Sequence, residues 1–364
     1  MVRHLGLLTV LMLLPIPFSA QQTTLPSSPQ MDTATVRSSG QLHNVTIDVA
    51  VTDKSGVAIR GLQKQDFMLT DDNHPKDLNS FRAVDLDANT PAPPIEVVLV
   101  VDAINADLLK MAREREGVEK FLMSNGGHLA RPVSLVVLSD DGPKLLGAAS
   151  TDGKALASRL AEDTTGLRTI NRSQGFFGVF ERFQMSIQAL NLITASEANK
   201  PGRKLIIWVS PGWALLSRAA SDITNQDQRQ LFNSIVQAST KMRLGHITLY
   251  NVETRGVAGT DMAQFNDYAQ FLDGVKSSGD AYPADLSLQV LAVQTGGLVL
   301  NQSNDLPTAI ADEIEKGVMD ATSFYVITFQ SDKADRPNEY HALKVKVDKS
   351  GDTARTRTGY YAQP

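Results

Sequence analysis

Residues 95–106 read IEVVLVVDAINA, and this stretch decides the fold. Val97, Val98, Leu99, Val100 and Val101 follow one another with no polar residue between them. A strand with one wet face alternates apolar and polar residues; an unbroken run suits a strand covered on both faces, as in a parallel sheet. Asp102 ends the run, and Asn105 or Asp107 can cap a helix whose apolar positions are Leu108, Leu109, Met111, Ala112, Val118, Phe121 and Leu122. In open α/β sheets, ligands bind beyond the carboxyl ends of the strands, where the strand order reverses. Asp102 and its neighbours are therefore the first place to look for a site.

The alternation continues downstream. Buried strands are expected at Val133–Leu138, Leu205–Val209, Ile247–Val252 and Leu298–Leu300, and helices at about 152–162, 176–193, 228–242, 286–293 and 306–319. Thr295-Gly296-Gly297 is a helix stop signal. Strands alternating with helices predict an α/β domain over about 95–320, a doubly wound, mostly parallel sheet. On either side the pattern changes to period 2. Val45, Ile47, Val49 and Val51 alternate with polar or small residues, and Phe67, Leu69, Leu78 and Phe81 follow. Residues 323–361 repeat this habit with Tyr325, Ile327, Phe329, Leu343, Val345 and Val347, closing on a strand from Thr353 to Tyr361. Neither the segment 42–84 nor the segment 323–361 can bury a core alone, so the two are expected to form one small β-unit with the α/β domain inserted between them.

Residues 85–94 read as a linker with prolines at 91, 93 and 94. Asp85, Asp87, Asn89 and Glu96 fall at calcium-loop spacings, but Thr90 stands where that loop needs glycine and no helices flank it. At the amino terminus Arg3 and His4 precede an apolar run, Leu5 to Ile16, too short to cross a hydrocarbon core of about 30 Å as a helix. With Ser19-Ala20-Gln21 after it, residues 1–20 read as a cleaved secretory signal, and residues 21–41 as a disordered polar tether. The expectation is an exported protein, periplasmic or extracellular, with no transmembrane segment in the mature chain.

A net charge of −5 disfavours a nucleic-acid partner, and the absence of cysteine excludes disulfides, thiolate catalysis and cysteine-held metals. Nucleophile elbow, zinc helix and dinucleotide fingerprint are all missing. Gly147 and Gly153-Lys154 mimic a phosphate loop, but the spacing is one residue too long, and Ala155 replaces the hydroxyl that would hold magnesium. Asp140-Asp141-Gly142-Pro143 is strong turn sequence; its carboxylates with Asp102 are the material from which a metal-assisted hydrolase would be built.

An apolar strand ending in aspartate, with polar residues soon after, resembles the first strand of a von Willebrand factor type A domain. The blocks VTIDVAVTDKSGVAIRGLQKQDFMLTDDNHPKDLNSF (45–81), GRKLIIWVSPGW (202–213), ITLYNVETRG (247–256), LAVQTGG (291–297) and ARTRTGYYA (354–362) are similar to those of VWFA-related proteins of acidobacterial type. The resemblance implies a type A domain between β segments. It also implies a metal-ion-dependent adhesion site, in which an Asp-x-Ser-x-Ser strand end, a distant Thr and a second Asp hold magnesium. Asp102 matches the first Asp. Ile104 and Ala106 replace the two serines, Ser210-Pro211-Gly212 replaces the segment with the second Asp, and Thr165 or Thr169 stands for the distant Thr. Magnesium demands near-octahedral oxygen geometry and dehydrates reluctantly, so this degenerate set favours a role for Asp102 as a loop or helix cap over metal binding.

The expected function is thus a secreted, non-enzymatic protein-binding or adhesion-type module with no cofactor, whose partner is a protein or cell-surface ligand. Asp102, Asn105, Ser139, Asp140 and Trp213 are its candidate contact residues, Trp213 as the aromatic anchor. The alternatives are the hydrolase and a purely structural envelope protein.

Overall fold

The computed structural model describes residues 44–85, 95–164, 175–213, 224–254, 266–300, 306–320, 322–349 and 351–364. The amino-terminal flank contributes β1 (Asn44–Thr52), β2 (Phe67–Asp71), β3 (His74–Lys76) and β4 (Leu78–Asp85). Asp72 and Asn73 take positive φ, 47° and 66°, between β2 and β3, as a tight two-residue hairpin requires. The α/β region runs β5 (Ile95–Asp102), α1 (Leu108–Leu122), β6 (His128–Ser139), β7 (Gly142–Leu145), β8 (Ser150–Asp152), α2 (Gly153–Glu162) and α3 (Gly175–Ala198). It continues with β9 (Arg203–Ser210), α4 (Asn225–Leu244), β10 (Ile247–Glu253), α5 (Leu288–Gln294), β11 (Val299–Leu300) and α6 (Leu306–Met319). The carboxyl-terminal flank is β12 (Ser323–Gln330), β13 (Glu339–Val347), β14 (Thr353–Arg355) and β15 (Gly359–Ala362).

The central sheet has the order β11-β10-β9-β5-β6-β7, with β8 also on β6. β5 lies parallel between β6 and β9, with Val97 opposite both Val133 and Leu205. This accounts for the uninterrupted apolar run: alternate residues enter two different cores. Val97, Leu99 and Val101 pack with α1, α2 and α6; Val98 and Val100 pack with α3, α4 and α5. The region is therefore a mixed α/β fold around a mostly parallel sheet. Its antiparallel edge, β7 and β8, was not expected from the sequence. Gly142-Pro143 reads as turn, but the turn is at Asp140-Asp141, and Gly142, at φ 96°, already pairs with Ser139.

The two flanks make two four-stranded sheets, β14-β1-β12-β4 and β15-β13-β2-β3, and each sheet draws strands from both flanks. Asn44 pairs with Gln330 and Leu69 with Val345. Ile47, Val49, Phe67, Leu69, Tyr325, Ile327, Phe329 and Tyr360 fill the space between them. The expected single strand from Thr353 to Tyr361 is two strands. β14 pairs with β1, β15 pairs with β13, and the crossing at Thr356–Thr358 carries Arg357 inward. The tight crossing is held by Thr356 Oγ1 donating to Asp48 O at 2.7 Å and by Thr358 N donating to Gln294 O at 3.2 Å.

The expected signal and tether (1–41), the distant Thr at 165 or 169 and nearly all of the linker lie outside the described residues. No helix among the described residues is long and apolar enough to cross a membrane.

Candidate functional site

β5 is the first strand of the α/β region, with β6 on one side and β9 on the other. The order therefore reverses at the carboxyl ends of β5 and β9, which end in Asp102 and Ser210. Asp102 is 0% exposed. Its Oδ1 accepts from Ile104 N and Asn105 N, each at 3.1 Å. Its Oδ2 accepts from Asn105 Nδ2 at 2.9 Å, Trp208 Nε1 at 2.9 Å and Ser210 Oγ at 3.0 Å. Those donors come from the loop after β5 and from β9, so the carboxylate ties two strand ends together. The helix cap is Asp107, whose side chain accepts from Lys110 N at 2.8 Å.

The remaining expected contact residues divide. Asn105 is half-buried, and its Nδ2 also donates to Ser186 Oγ on α3 at 2.9 Å. Ser139 is buried and accepts from Asp141 N at 3.3 Å, while Asp140 is exposed at the β6–β7 turn. Trp213 does not offer the open anchor expected of it. It is 0% exposed and stands edge-on to Trp208, ring centroids 5.2 Å apart and planes at 81°. The loop folds it under, into the core on the α3–α5 side of the sheet. The surface instead presents Leu108 and Leu109, 51% and 62% exposed, at the start of α1. Both are among the apolar positions of the expected helix, but they precede its first buried position, Met111.

The magnesium set fares poorly. Both oxygens of Asp102 are occupied by N–H and O–H donors, Ser210 turns its hydroxyl proton onto Asp102, and Ile104 and Ala106 have only carbon side chains. A cation would have to displace donors already well placed, with one carboxylate to hold it. These residues do not fit the metal.

One acidic residue near Asp102 escaped the sequence reading. Glu114 on α1 is 0% exposed; its carboxylate accepts from Thr254 Oγ1 at 2.6 Å, and Oε2 has no partner. A lone glutamate on a helix gives no sequence signal of burial. Burial above all, then the charges of Asp102 and Asp107, pushes its pKa well above the ordinary range, against the Thr254 hydrogen bond. The folded state therefore holds this proton more tightly than the unfolded chain does. The resulting stability is fully present below the unfolded value, about 4.3, and is lost as pH rises through the folded one. Glu114→Gln keeps an acceptor for Thr254 and cannot ionise. It is expected to be more stable than the wild type at pH 8 by roughly 1–3 kcal/mol, with a smaller gap at pH 5. Urea unfolding of both proteins at the two pH values checks this; a gap independent of pH contradicts it.

Among the described residues a second cluster sits in the β-unit, where Asp71, Asp72 and His341 bring possible ligand atoms within 4.8 Å of one another. Asp71 Oδ1 lies 3.1 Å from His341 Nδ1, and Asp71 Oδ2 accepts from Tyr360 Oη at 2.7 Å. The hydrogen bond to Asp71 raises the His341 pKa, against desolvation. With its acceptors filled by neighbours, Asp71 joins the two flanks.

No family model matches the chain, and no curated protein matches it. Solved structures similar to it include a "conserved hypothetical protein BatB from Bacteroides thetaiotaomicron", at 15% identity and TM-score 0.30, covering 62% of this chain and 98% of that one. The "SpRpn10 VWA domain" is 12% identical at TM-score 0.27, covering 60% of this chain and 94% of that one. A "pilus adhesin, SpaC from Lactobacillus rhamnosus GG" is 8% identical at TM-score 0.34, covering 80% of this chain and 47% of that one. With TM-scores this low, the roles of residues rest on this chain alone.

Proposed function

We propose that this chain is an exported, non-enzymatic, adhesion-type module of the VWFA-related kind, and that it binds a protein or cell-surface ligand without a metal. The observation that carries the metal-independent reading is the saturation of Asp102, which has an internal donor on every approach and no exposure. The carboxylate at the position matching the first metal aspartate acts as a clamp between strand ends. The partner then meets the rim of the sheet's carboxyl end: exposed Leu108 and Leu109, half-buried Asn105, and the Asp140-Asp141 turn. Paired exposed leucines beside carboxylates favour a partner surface with an apolar centre and basic edge.

The test uses the mature chain, labelled, and intact cells of its source. Retention is expected to be equal in magnesium and in EDTA, and to fall at least tenfold for Leu108→Lys/Leu109→Lys. Calorimetry with magnesium and manganese is expected to show no heat of binding. Micromolar metal affinity that Asp102→Asn abolishes, or retention lost in EDTA, refutes metal independence. Sequencing the mature amino terminus tests export separately; an intact Met1 in the cytosol refutes it.

A further inference from the structure

Away from the strand-end site, two arginines meet at the opposite end of the sheet. Arg357, carried inward at the β14–β15 crossing, is 6% exposed. With Arg243, at the last turn of α4, it lines a cavity of about 10 Å³, the room of one water-sized particle. Thr46, Asp48, His246, Thr248 and Thr295 add polar wall, and two isoleucines, Ile47 and Ile247, complete it. The described residues place no hydrogen-bond acceptor on the Arg357 guanidinium, and Arg243 Nε is buried without a partner.

The charges do not balance. Burial, and next the charge of Arg243, pulls the Arg357 pKa down to about 9, so it is still protonated at neutral pH; burial lowers that of Arg243 too. Among the described residues, Asp48 is the one carboxylate whose charge reaches Arg357, from beyond ion-pair distance, and it already stands 3.3 Å from His246 Nδ1. Two guanidinium groups, Arg357 buried and Arg243 half-buried with its Nε enclosed, face a polar cavity with one nearby carboxylate among the described residues; this leaves net positive charge in a poorly solvated place, which is costly without a counter-ion.

We propose that this cavity is a binding site for a small inorganic anion of halide size, held between Arg243 and Arg357. Thr248 Oγ1 accepts from Arg203 Nη2 at 3.3 Å and so keeps its own proton to donate to such an ion, whereas Thr295 Oγ1 already donates to Ala292 O. Its walls come from β1, β10, the ends of α4 and α5, and the β14–β15 crossing, so a bound anion fastens the β-unit to the α/β region.

The full chain, dialysed into sodium gluconate, is titrated with chloride at constant ionic strength while its melting temperature is read. A saturable rise of about 3 °C is expected. Arg357→Met abolishes the rise. Arg243→Met, at a half-buried helix end, also abolishes it and guards against a misfolded first variant. Crystals soaked in bromide are expected to show an anomalous peak between the two guanidinium groups. Equal melting in chloride and gluconate with no bromide peak overturns the proposal, since the cavity then holds water. A rise with sulfate or phosphate but not with halide overturns the halide assignment, as does a chloride effect that persists in both variants.

Discussion

Replacing Asp102 with alanine is expected to lower stability by about 4 kcal/mol, near 10 °C in melting temperature, with or without magnesium present. The substitution takes the buried acceptor from Ile104 N, Trp208 Nε1 and Ser210 Oγ and from half-buried Asn105 N, and leaves Asn105 Nδ2 with Ser186 Oγ alone. Each orphaned donor carries its own desolvation cost, and the strand ends of β5 and β9 lose their tie. Asp102→Asn keeps one oxygen but sets an amide N–H against donors, and is expected to cost about half as much. Thermal unfolding of the three proteins with magnesium and with EDTA decides the matter. A metal ligand behaves differently: EDTA lowers the melting temperature of the wild type, and the apo variant loses little.

Gly297→Val is expected to cost more than about 3 kcal/mol and to leave the α5–β10 joint open to proteolysis. A Cβ at Gly297 would run into Leu249 O, a backbone atom of β10 that cannot turn aside. Gly297 N also donates to Ala292 O at 3.0 Å, closing α5, while Gly296, at φ 88°, packs on the backbone of Thr356 and Arg357. One side chain therefore separates the helix from the sheet and disturbs the crossing beside it. Gly279→Ala is the control. Its Cβ meets nothing nearer than Ser277 Oγ at 3.8 Å, so a change within 0.5 kcal/mol is expected. Limited proteolysis near residue 297, with urea unfolding, reads both.

The central sheet was legible because burial on two faces leaves a mark that survives in one sequence: Val97–Val101 and Leu205–Val209 run without a charged, amide or hydroxyl side chain, and Ile247–Val252 is broken only by Thr248, Tyr250 and Asn251. The short edge strands β7 and β8 were not, because two-sided burial ends there and their residues are those of turns. At the site, the loss of hydroxyls at Ile104 and Ala106 could be read directly. The direction in which a side chain points could not. Trp213 and Glu114 are buried, and Leu108 and Leu109 exposed, because of where one loop and one helix begin, to within a residue or two. Periodicity does not resolve such a shift.

The interleaving of the two flanks also orders events in time. Val45, Ile47 and Val49 find their strand partners in Phe329, Ile327 and Tyr325, so β1 stays unmatched on a growing chain until almost all of the sequence has emerged. Closing so long a loop costs entropy before any contact rewards it, and pairings this distant in sequence slow folding. The α/β region has its own core and can collapse first, bringing the ends of its chain together as a template on which the flanks zip. Until then the apolar edge of β1 is exposed to other chains, so the interval before β12 arrives is the period of greatest aggregation risk in the life of this protein.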